Sequence, residues 1–258
     1  MQYVELLRAR RALRWFVGFY AILIALATYA RLFGQVHTGG HHHDVEQVRD
    51  VIALCAFMAW IAATCMATGL LHESSTLAFT WTRPLRRTEI AARYFVVDLT
   101  TIVVVSLLAL GTIYACAGVL GVADLLVFDL RTLVTLVLGI TTALMWYALI
   151  VLAGSRLPGR AGLVAGLSWA VFMVLGSLAA SPLPQPFHGI FVAVNYLNPM
   201  VWYGGSHDTV NVAVSSGQHV TAHKFPIPLG AGGRVVCTLA FSALALPAGI
   251  RLWATRET

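Results

Sequence analysis

The stretch Phe95–Val119 reads FVVDLTTIVVVSLLALGTIYACAGV and carries a single charge, Asp98. About 20 consecutive apolar residues, wound as a helix, cross a hydrocarbon core of about 30 Å. Five more runs of this kind follow the same logic: Trp15–Phe33, Val51–Leu71, Thr132–Ala153, Leu163–Ala180 and Val235–Trp253. Together they predict an all-α integral membrane protein with six transmembrane helices, forming a single transmembrane domain over residues 1–258. Composition agrees, with 59% hydrophobic and 11% charged residues. A soluble domain averages about 45–50% and about 25%, and could not cover its surface from this inventory. A cytosolic enzyme, a disordered chain and a secreted disulfide scaffold are excluded.

The net charge is +6, but the arginines are scattered between apolar runs, whereas a nucleic-acid binder needs a continuous basic face. They read instead as membrane topology. Twelve fall on one side: Arg8, Arg10, Arg11, Arg14, Arg83, Arg86, Arg87, Arg93, Arg156, Arg160, Arg251 and Arg256. Five basic residues fall on the other, namely Arg31, Arg49, Arg131, Lys224 and Arg234. The twelve-residue side is predicted to be the cytoplasm, with both termini on it. The arginines before Trp15 resemble the start of a signal peptide. The apolar run that follows exceeds the usual 7–15 residues, however, so an uncleaved first span is expected.

The four cysteines, Cys55, Cys65, Cys116 and Cys237, all lie in apolar runs and read as small packing residues. A Cys116–Cys237 pair near the outer face stays open. Stripes of small residues, Ala59, Ala63 and Ala67 in the second run and Gly162, Gly166 and Ala170 in the fifth, let helix backbones approach closely. They serve packing within the chain or against a second subunit.

No GxxxxGK(S/T) phosphate loop, HExxH helix or GxSxG elbow occurs, so no catalytic site and no cofactor are expected in this chain. Asp98 is the one ionisable group near membrane depth. It lies about one turn from Arg93, and the two are expected to pair near the cytoplasmic interface; the alternative is a proton relay. Any energy source is then expected outside the chain.

The segment between the second and third runs, 72–94, reads HESSTLAFTWTRPLRRTEIAARY. It predicts a short helix carrying Leu77 and Trp81, a stop at Pro84 and a basic knuckle of Arg83, Arg86 and Arg87. An amphipathic loop on anionic lipid and a docking element for a cytoplasmic partner both fit. At Glu73, Thr76-Leu77, Pro84, Arg87 and Arg93 the segment resembles the coupling loop of membrane subunits of type 2 ABC exporters. There Ser75 stands for the usual Gly, and Arg93 for the usual Lys. The first fourteen residues, with Tyr3, Leu6, Leu7 and Leu13 against Glu5, Arg8 and Arg11, resemble the family's amphipathic interfacial helix. Leu197-Asn198-Pro199 stands where that family carries a re-entrant external segment, here within 181–233.

The resemblance implies a permease subunit in a bacterial inner membrane, paired with a second membrane subunit. A cytoplasmic ABC ATPase, which holds ATP and Mg, would dock on Glu73, Thr76, Leu77, Trp81, Arg83, Pro84, Arg86 and Arg87. It also implies that spans two and five line a cargo path. Phe57, Met58, Met66, Phe172 and Met173 would suit an apolar or amphipathic cargo such as a drug, peptide or lipid-like molecule.

Eight of the nine histidines are predicted external. His41-His42-His43, followed by Asp44 and Glu46, offers ligand types for zinc or copper without a specific spacing. A solvated polar loop and a pH-responsive gate are the other readings. Two further functional classes stay open beside the exporter subunit: a membrane protein with an external His-based metal site, and a non-transporting anchor or sensor.

Overall fold

A computed structural model describes residues 3–33, 45–72, 87–123, 126, 128–155, 157, 160–180, 190, 209–216, 219–226 and 229–255. The helices are α1 Tyr3–Phe33, α2 Val45–His72, α3 Arg87–Leu120, α4 Leu130–Gly154, α5 Ala161–Ala180 and α6 Ala231–Ala254. Each contains one expected apolar run. Four include stretches long and apolar enough to cross a membrane: Leu6–Leu32, Thr88–Leu120, Thr132–Gly154 and Ala231–Leu252. Shorter apolar stretches, Cys55–Leu71 and Gly162–Val171, mark α2 and α5. The architecture is that of a multi-pass helical membrane protein.

Hydroxyls inside these helices are satisfied locally, as a bilayer demands. Thr101 donates to the Val97 carbonyl at 2.7 Å, Ser106 to Ile102 at 2.8 Å and Ser242 to Thr238 at 2.8 Å. Asp129 caps α4, its Oδ1 accepting from the Thr132 amide at 2.8 Å.

α2 is the central helix, packed along both α4 and α3; α1 lies along α3, and α6 along α4. Ala59, Ala63 and Ala67 are fully buried, so that stripe serves packing within the chain. The second stripe behaves differently: Gly162, Gly166 and Ala170 are exposed. Gly154 sits where α4 meets α2, and a Cβ there would push the end of the Leu71 side chain out of its place. The four cysteines are free, and no Cys116–Cys237 bond is present.

Two expectations are corrected. The segment 1–14 is not a separate interfacial helix, because α1 runs unbroken from Tyr3 to Phe33. No Pro interrupts Tyr3–Phe33, and the residues before Trp15, Arg8 to Arg14, are all Ala, Leu or Arg, good helix formers. The helical architecture also carries a hairpin that was not expected. Within 181–233, strands β1 Thr209–Ser216 and β2 His219–Pro226 pair antiparallel, from Thr209↔Pro226 to Ser216↔His219. The β-branched alternation TVNVAV carries this strand signal. The expected re-entrant segment around Leu197-Asn198-Pro199 lies outside the described residues.

Candidate functional site

The helix ends that carry most of the arginines meet around one buried carboxylate. Asp98 is completely buried on α3, and Arg8 of α1 is nearly so, with 9% of its side chain exposed. Arg8 Nη2 donates to Asp98 Oδ1. The Tyr147 hydroxyl of α4 donates to the other oxygen, Oδ2, at 2.7 Å. The Arg8 guanidinium also lies over the Tyr94 ring, 5.2 Å from its centroid, a cation–π arrangement. Phe95 packs edge-on against Tyr147 at 5.7 Å. The Arg8 stem runs beside Gly69 of α2, where a Cβ would make an ordinary contact of 3.5 Å with its Cδ. One carboxylate thus ties α1, α3 and α4 together beside the end of α2.

The partner of Asp98 is therefore not Arg93. Five residues along a helix turn about 140° past a full circle, which puts Arg93 on another face. Arg93 instead pairs with Glu89 at 3.3 Å, one turn earlier and half exposed. A buried charge is costly unless it is paired. Arg8 supplies that pairing from a helix that sequence reading placed on the membrane surface.

A second polar knot sits deeper in the bundle. Thr64 of α2 accepts indole N–H bonds from Trp146 of α4 at 3.0 Å and Trp169 of α5 at 3.1 Å. It donates its own proton to the Trp60 carbonyl at 2.9 Å, so its hydroxyl is saturated. Trp60 donates to Thr142 Oγ1 at 3.2 Å and stacks on Trp146 at 5.7 Å, nearly parallel. Trp146 and Trp169 meet edge to face at 5.4 Å. These contacts pin α2, α4 and α5 in register. Single-sequence reading missed both clusters, although Thr64, Trp60, Trp146 and Trp169 were all visible as polar handles within apolar runs.

The residues expected to line a cargo path differ in exposure. Met66 is buried in the core, while Phe57 and Met173 are exposed. Phe57 packs edge-on to Trp169 at 6.3 Å. Met58 faces a groove between α1 and α2. Phe172 is placed on α5 by its backbone alone. Of the expected ATPase contacts, Glu73, Thr76, Leu77, Trp81, Arg83, Pro84 and Arg86 lie outside the described residues, and Arg87 opens α3. His41, His42 and His43 also lie outside them, while His219 and His223 belong to β2. Among the described residues no group of three or more His, Cys, Asp or Glu is arranged to hold a metal. The sequence matches no protein-family model and no curated protein.

Proposed function

We propose that this chain is the permease subunit of an ATP-driven type 2 ABC exporter in a bacterial inner membrane. It acts with a second membrane subunit and a separate cytoplasmic ATPase that binds ATP and Mg. The reading rests on the ordered Glu73, Thr76-Leu77, Pro84, Arg87 and Arg93 pattern in the connection between α2 and α3. The Arg8–Asp98–Tyr147 cluster supports it. Asp98 lies three turns into the helix that leaves this connection, and it ties that helix to α1 and α4. A push on the connection is then passed to several helices as a block, rather than absorbed by one. The cargo is apolar or amphipathic, and the charged work stays on the partner subunit.

Reconstitution of the chain with the ATPase from a neighbouring reading frame tests this. Cargo-stimulated ATP hydrolysis is expected in proteoliposomes. Glu73→Ala and Arg87→Ala should each cut transport at least about tenfold, the effect of losing roughly 1.4 kcal/mol of coupling, while the chain melts as wild type. Undiminished transport by both variants, or transport by the chain without any ATPase, defeats the proposal.

A further inference from the structure

Between α1 and α2 runs a cavity of about 360 Å³, within the usual range for a ligand site. Ala12, Trp15, Phe16 and Phe19 line it from α1, and Met58, Ile61 and Cys65 from α2. Phe16 and Met58 form a buried floor, whereas Trp15 is 77% exposed and Phe19 42%, so the groove opens sideways. Leu6–Leu32 is long and apolar enough to span a membrane, so the opening faces hydrocarbon.

One end of the groove is marked by charge. Arg11 lies one helical turn before Trp15 and flanks the same side of α1; Arg10, Arg11 and Arg14 are all exposed. Exposed tryptophan beside arginine sits at headgroup depth in a bilayer. From Trp15 to Phe19 the groove then climbs about 6 Å into the acyl region. A cationic collar at headgroup level under an apolar slot matches a molecule with an anionic head and a hydrocarbon tail. A second copy fits this face poorly. Two-fold packing along α1 would set the two arginine collars side by side at the same depth.

We infer that this groove holds an anionic phospholipid of the surrounding leaflet, its phosphate at Arg11 and one acyl chain between α1 and α2. The site belongs to the chain itself and does not depend on the exporter reading.

The full-length chain, purified in mild detergent, is equilibrated with mixed micelles of dioleoyl phosphatidylglycerol and dioleoyl phosphatidylcholine. Native mass spectrometry then counts the lipid retained. Preferential retention of phosphatidylglycerol is expected. Arg11→Gln should lower that preference about fivefold, the contribution of one basic residue at a membrane surface. Cys65→Phe, which fills the groove from α2, should remove the bound lipid while the chain melts as wild type. If that variant fails to fold, Ala12→Leu fills the same groove from α1 and is read in the same way. Equal retention of both lipids by the wild type overturns the inference. So does an undiminished lipid count in a folded groove-filling variant.

Discussion

Asp98 accepts hydrogen bonds from two side chains on two other helices, and each donor should respond differently to its loss. Asp98→Ala leaves the Arg8 guanidinium buried without its counter-charge. Removing one partner of such a pair costs about 3–5 kcal/mol, so a large fall in thermal stability is expected in detergent. Tyr147→Phe removes one hydrogen bond to a charged group and should cost about 1.5–3 kcal/mol. Replacing the pair together, Arg8→Met with Asp98→Leu, should recover much of the stability lost in Asp98→Ala. If the double variant melts no higher than Asp98→Ala alone, the two side chains do not act as a pair. Thr64→Val is nearly isosteric but strands the Trp146 and Trp169 indoles. A loss of about 1–3 kcal/mol for each unsatisfied donor follows, readable from thermal melts followed by tryptophan fluorescence.

Among the elements, α1 behaves least as its sequence suggests. Its first turns have the amphipathic look of a surface helix, yet they continue without a break into the apolar run and deliver Arg8 to Asp98. Leu13→Pro separates the two readings. A hinge between two helices would tolerate proline, whereas a continuous helix loses about 3 kcal/mol or more. Circular dichroism with thermal melting should show that larger loss. Tyr20 adds a second tie, donating to the Val105 carbonyl of α3 at 3.2 Å. α5 is held mainly through Trp169. It touches α2 and α4 lightly, and Leu163 and Leu167 remain exposed. The β1–β2 hairpin was legible in principle, since strict alternation of valines is a strand pattern. A long segment read as part of a helical membrane protein concealed it.

At the scale of the molecule, opposite-side exposure of the 73–86 connection and the hairpin is expected from the arginine distribution. Single cysteines introduced at Thr80 and Gly217, in a chain freed of its own cysteines, test it with a membrane-impermeant thiol reagent on intact cells. Gly217→Cys should label from outside and Thr80→Cys only after permeabilisation; labelling of both from one side would refute the topology. The six apolar runs were readable because a bilayer imposes a length and a composition on any helix within it, whatever its neighbours. The arginine asymmetry was readable for the same one-dimensional reason. Which charge meets Asp98, which small residues are covered and which aromatics share Thr64 depend on how helices far apart in the chain rotate against one another. Arg8 and Asp98 are 90 residues apart, and Thr64 and Trp169 are 105 apart. Separations of that size have no periodic trace in one sequence, so only the packed bundle could decide those pairings.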